Sequence, residues 1–79
     1  MFLHVDEATY ISNYQLQLKF NNNEIKKVDL KNELYGEVFE PLKDKQYFKD
    51  FFISHNTVEW KNGADFAPEF LYEIGVWLI

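Results

Sequence analysis

Residues 14–20, Tyr-Gln-Leu-Gln-Leu-Lys-Phe, alternate apolar and polar without a break. Tyr14, Leu16, Leu18 and Phe20 fall on one face and Gln15, Gln17 and Lys19 on the other. That is the period of a half-buried strand with one solvated side. The run ends at Asn21-Asn22-Asn23, and asparagine accepts positive φ more readily than most residues. A hairpin is therefore predicted, with residues 24–30 returning. In the return Val28 and Leu30 share a face while Ile25 is out of phase, which predicts a bulge or an edge register at Ile25. Upstream, residues 3–10 read as a third strand, apolar at Leu3 and Val5 and interrupted by Asp6-Glu7, with Ser12-Asn13 as the turn.

The pattern changes after Leu30. Residues 32–36 read as a short helical turn stopped by Gly36, and residues 45–49 as a second short helix with Asp44 as N-cap. Leu42, Tyr47, Phe48 and Phe51 are its anchors. Residues 51–54 and 57–60 form a closing hairpin around His55-Asn56. A last helix spans residues 68–74, anchored by Phe70, Leu71 and Ile74 and ended at Gly75. The expected class is α+β: an antiparallel sheet of about five strands, with short helices in the middle and at the C-terminal end that cover one face.

Seventy-nine residues predict a single domain over positions 1–79. A chain this short hides only ~60% of the surface its unfolded form exposes, and with no cysteine it has no disulfide to compensate. Eight Phe, five Tyr and two Trp predict instead a small core of large rings, each burying ~150–250 Å², with self-association as a second route to burial. Thirteen acids against eight lysines give a net charge of −5, and there is no arginine. Such a chain repels a phosphate backbone and lacks the planar fork that reads guanine edges, so nucleic-acid binding by this domain is not expected. The lysine groups 26, 27, 31 and 43, 45, 49 read as solvated surface. Neither a signal peptide nor a membrane-spanning run is recognisable, and a cytoplasmic location is the default expectation.

Residues 60–72, Trp-Lys-Asn-Gly-Ala-Asp-Phe-Ala-Pro-Glu-Phe-Leu-Tyr, concentrate polar groups and rings. Each polar residue has a structural reading. Asn62-Gly63 is a strong two-residue turn signal in which both positions can take positive φ. Asp65 precedes a helix, where a carboxylate accepts free backbone N–H groups. Pro68 suits the first helical position and Glu69 the positive end of the helix dipole. Trp60 and the Phe residues are core anchors.

The stretch Trp60-Lys-Asn62-Gly63-Ala-Asp65 followed by Pro68-Glu69 and Leu71-Tyr72 also resembles the bacterial Domain of Unknown Function 2442 family. Val28-Asp29-Leu30, residues 36–42 (Gly-Glu-Val-Phe-Glu-Pro-Leu) and Phe48 carry the resemblance further, so that it covers roughly residues 3–73. The family usually has Gly where Asn23 stands and often Pro where Lys61 stands. The resemblance implies a small α+β domain with no established activity. Some relatives carry an added helix-turn-helix domain, which is not expected within these 79 residues, so DNA binding is not expected to carry over. Others are encoded beside a second small protein in an arrangement like toxin–antitoxin pairs.

Chemistry-bearing constellations are sparse. His4 and Asp6 share a strand face, but two ligands do not hold a metal. Adjacent strand residues point to opposite faces, so Ser54 and His55 are not expected to bond each other. Asp65 and Glu69 are close enough to split their pKa values, yet capping explains them more simply. No cofactor, metal or catalytic set is expected. Val76, Trp77, Leu78 and Ile79 form an apolar tail, worth ~1.5–3 kcal/mol per side chain if buried. It packs either on its own sheet or, the slightly favoured reading, on another chain. The expected function is a non-enzymatic protein-interaction domain, a homodimer that binds a small partner protein in an antitoxin-like role. The alternative is a small-ligand binder or enzyme using acids of the loop at Asn62–Asp65, with Glu69 and Asp29 converging on one pocket.

Overall fold

The computed structural model describes residues 2–78. In chain order the strands and α-helices are β1 (Val5–Ser12), β2 (Gln15–Phe20), β3 (Ile25–Asp29), α1 (Lys45–Lys49), β4 (Phe52–Ser54), β5 (Thr57–Glu59), α2 (Pro68–Ile74) and β6 (Val76–Trp77). Two 3-10 segments, Lys31–Glu33 and Glu37–Lys43, lie between β3 and α1. The class is α+β with antiparallel pairing, as the alternation predicted. The five expected strands do not make one sheet, however. The main sheet has the order β1-β2-β3-β6, and β4 pairs with β5 alone. The outer edge of β3 is taken by β6, and β1 breaks register around Asp6 and Ile11, which interrupts the ladder a further strand would need. The β4–β5 hairpin instead packs against β1, and the Val5 N–H donates to the Asn56 carbonyl at 2.9 Å.

The break at Asp6 also settles the phase of β1. Val5 pairs with Phe20, but after one extra residue Ala8 and Tyr10 pair with Leu18 and Leu16. Val5 and Tyr10, which strict alternation would put on opposite faces, thus both reach the core side. At Ile25, by contrast, no bulge occurs. The β2–β3 register is unbroken from Gln15↔Asp29 to Lys19↔Ile25, so Ile25 lies on the solvent-side row and Lys26, Val28 and Leu30 form the inner row. An inward lysine is the irregularity that the pattern disguised as a bulge.

Three of the predicted turns hold. Asn13 (φ 50°) and Asn23 (φ 69°) reverse the chain in the meander, and His55 (φ 52°) with Asn56 (φ 70°) in the β4–β5 hairpin. The Asp44 side chain caps α1 by accepting from the Gln46 N–H at 3.1 Å. One core unites the layers. Leu16, Leu18 and Phe20 of β2, Val28 and Leu30, Leu42, Phe48, Val58, Trp60 and Leu71 are fully buried within it. Trp60 is its hinge between elements: its indole N–H donates to the Phe48 carbonyl at 2.8 Å, and its ring lies 5.6 Å from Phe48 and 6.1 Å from Phe66.

Candidate functional site

The loop between β5 and α2 is built differently from a two-residue turn. The Gly63 N–H donates to the Trp60 carbonyl at 2.8 Å and the Trp60 N–H to the Ala64 carbonyl at 2.9 Å. Only Gly63 of the Asn-Gly pair has positive φ, at 89°. This is a three-residue loop closed by a left-handed glycine. Asn62 serves through its side chain: Oδ1 accepts from the Ala64 N–H at 3.1 Å, and Nδ2 donates to the Val38 carbonyl at 2.9 Å. The loop is thereby tied to the second 3-10 segment.

Asp65 is not the cap that its position suggested. The N-cap of α2 is Ala67, without a side-chain cap bond. Ala67 is extended, with ψ 139°, and it, two residues past Asp65, holds the cap position. Its backbone forms a bridge with Glu59, while its exposed carboxylate has no hydrogen-bond or ion-pair partner among the described residues. Pro68 does occupy the first helical position, with Glu69 exposed in the first turn. Asp65 borders a shallow groove of about 260 Å³, together with Glu33, Tyr35, Phe39, Phe66 and Phe70. Phe39 stacks on Phe66 at 4.8 Å, and Phe66 on Phe70 at 5.9 Å.

A second cleft, of about 350 Å³, opens beside Tyr14 and includes Asp29, Lys31 and Lys45. Several of its polar groups are locally engaged. Asp29 Oδ1 accepts from the Lys31 N–H at 3.0 Å, Lys45 Nζ donates to Asn13 Oδ1 at 3.2 Å, and the Tyr14 hydroxyl donates to the Lys43 carbonyl. Asp29 and Asp65 therefore line different clefts, and Glu69 lines neither. The three acids expected to converge on one pocket do not.

Ser54 and His55 do meet, contrary to expectation, because His55 has left the strand for the left-handed region. Ser54 Oγ lies 3.1 Å from His55 Nδ1, and Glu59 Oε1 lies 3.2 Å from the same nitrogen. A serine–histidine–acid relay needs the two ring nitrogens separately, one facing the hydroxyl and the other the acid. With both neighbours on Nδ1, and the imidazole 83% exposed, the group lacks that geometry. Among the described residues no three His, Cys, Asp or Glu are placed to hold a metal ion, and no helix is long and apolar enough to cross a membrane.

The segment after Gly75 carries the most organised cluster. Val76 and Trp77 pair antiparallel with Lys27 and Lys26, and the Leu78 N–H donates to the Ile25 carbonyl at 3.4 Å. The backbone thus docks in cis, against the slightly favoured reading of docking on another chain. Ile79 lies outside the described residues. The side chains nevertheless stay exposed: Val76 55%, Trp77 63% and Leu78 43%. Lys26, only 4% exposed, extends from the inner row beneath Trp77. Its Nζ donates to the Tyr72 carbonyl at 2.7 Å and lies 3.6 Å from the Tyr72 ring centroid and 4.4 Å from that of Trp77. Two ring faces and a carbonyl replace the water that the ammonium loses.

Glu24 completes the cluster. Its carboxylate accepts from the Tyr72 hydroxyl and from the Trp77 indole N–H, both at 2.5 Å. These two donors, Tyr72 first, hold its carboxyl below the usual carboxylate range, and in return the Tyr72 phenol is pushed above its ordinary value. Sequence reasoning missed Glu24, Lys26 and Tyr72. The available signal was the phase of β3, which puts Lys26 in line with Val28 and Leu30. Gly75 also has a different purpose from the one expected. Its φ is −72°, so no left-handed cap is made. A Cβ there would lie 3.0 Å from Lys26 Cβ and 3.1 Å from the Leu71 carbonyl oxygen. Glycine lets the chain cross over Lys26 on its way into β6.

A family model described as "Protein of unknown function (DUF2442)" matches residues 5–76. No curated protein and no solved structure gives a significant match.

Proposed function

The chain belongs to the DUF2442 family, and on that premise we propose that it is a non-enzymatic protein-interaction module that self-associates through the β6 edge. The observation that carries this reading is the state of Trp77. A tryptophan 63% exposed to solvent is held in place by a backbone pair, a 2.5 Å hydrogen bond to Glu24 and the Lys26 ammonium. A large ring already ordered before contact loses little conformational entropy on binding, which is the character of an interface anchor. Val76 and Leu78 flank it, and β6 is the outermost strand of its sheet. The outer side of β6 offers unpaired backbone groups to a further strand.

Three exposed side chains fall short of the ~800 Å² per partner that stable complexes bury, so the dimer is weak and concentration-dependent. A hetero-partner could use the same edge. Its form as a small toxin-like protein, with this chain in the antitoxin-like role, is supported by the family resemblance alone. Sedimentation of the full chain across a wide concentration range tests the reading, alongside Val76→Lys and a chain ended after Gly75. A monomer–dimer equilibrium is expected for the full chain and a monomer for both variants, each checked for folding by circular dichroism. A full chain that stays monomeric at the highest concentration sinks self-association.

A further inference from the structure

We propose that the groove bordered by Glu33 and Asp65 is a docking site for one basic side chain, lysine or arginine, presented by an apolar segment of a partner protein. The site is independent of the β6 edge, and the two readings fail separately. Stacked rings form its apolar surface: Phe39 on Phe66 at 4.8 Å and Phe66 on Phe70 at 5.9 Å, with interplanar angles of 26° and 15°. Two carboxylates border it. Neither Asp65 nor Glu33 has a side-chain hydrogen bond or ion pair among the described residues, and no residue lining the groove is basic. Tyr35, 71% exposed, adds a ring face at the margin.

This pairing of surfaces matches one kind of group. Lysine and arginine carry a charged head on an apolar stem, so the stem can lie along the Phe stack while the head reaches the acids. The exposed Tyr35 ring attracts the cation as well. The groove is shallow and open, about 260 Å³, which suits a single side chain carried in on a larger partner. Charge points to a partner of opposite sign, since this chain has a net charge of −5 and no arginine.

The test is a titration of the ¹⁵N-labelled full chain at low salt, followed by backbone amide shifts. The probes are a capped Leu-Lys-Leu peptide, the same peptide with norleucine for lysine, and methylammonium chloride. Saturable shifts at Glu33, Tyr35, Asp65 and Phe66 are expected for the lysine peptide. Its affinity should drop about tenfold, or ~1.4 kcal/mol, in the double variant Glu33→Gln/Asp65→Asn, whose remaining resonances report that it is folded. The Val76→Lys chain should bind as the parent does. Absence of saturable shifts overturns the proposal, as do equal binding of the norleucine peptide and shifts that survive the double variant. Methylammonium binding as tightly as the peptide would make the groove a small-cation site and overturn the partner assignment.

Discussion

Asn62 and Asp65 stand three residues apart in a motif that invites a single interpretation, yet they do different work. Asn62 closes the loop onto Ala64 and ties it to Val38. Removing both bonds by Asn62→Ala is expected to cost ~1–2 kcal/mol, taking ~0.5–1.5 kcal/mol for each net hydrogen bond and discounting for exposure. Asp65 caps nothing, so Asp65→Ala should leave stability within ~0.5 kcal/mol, where loss of a true cap would cost ~1 kcal/mol. Urea unfolding of the two variants in parallel separates the roles. A clear loss for Asp65→Ala would restore the capping assignment. Trp60 shows why the motif is still legible as structure. A fully buried indole whose N–H is satisfied by Phe48 is a core residue with a polar obligation, and Trp60→Ala should cost ~3–5 kcal/mol.

At the scale of elements, β6 is a two-residue strand whose position depends on side chains as much as on its ladder. Glu24 anchors it through Tyr72 and Trp77, and pH should release that anchor. The folded-state pKa of Glu24 is lowered from 4.5, so its contribution to stability is present above about pH 4.5 and is lost as pH falls through the lower folded value. At the alkaline end the Tyr72 pKa is raised from 10.0. That contribution is present below pH 10 and is lost as pH rises through the raised value. Tryptophan fluorescence should therefore show an acid transition centred below pH 4.5, with Trp77 its source. The transition should vanish in Glu24→Gln and in Trp77→Phe. A midpoint above 4.5 would contradict the hydrogen-bonded carboxylate. Gly75→Ala should also loosen β6 and destabilise the fold by ~1–3 kcal/mol, because Lys26 Cβ belongs to a strand paired on both sides and cannot move aside.

At the scale of the whole molecule, one small core, more of Leu and Val than of the large rings expected, supports two surfaces that are not polar in the ordinary way: the β6 edge with Trp77, and the groove of stacked Phe residues bordered by acids. A chain that self-associates in the folded state only must show a thermal midpoint that rises with protein concentration. Scanning calorimetry over a hundredfold dilution should record that rise for the full chain and no change for Val76→Lys. Equal midpoints at all concentrations would leave the β6 edge an exposed strand end without a self-partner.

The sequence by itself determined the meander, the β4–β5 hairpin, α1 with its Asp44 cap, and α2 with Pro68 at its start. These follow from period, turn residues and capping chemistry, which act over a few neighbouring positions. It also carried the family signature. Tertiary structure decided what depends on distant partners. Forty-six residues separate Lys26 from Tyr72 and fifty-three separate Glu24 from Trp77, and no local pattern announces that a lysine on a core row will find a carbonyl and two rings. The division into two sheets, the bulge at Asp6, the steric need for Gly75 and the freedom of Asp65 arise in the same way, because each is settled by which remote segment arrives alongside and how closely it packs.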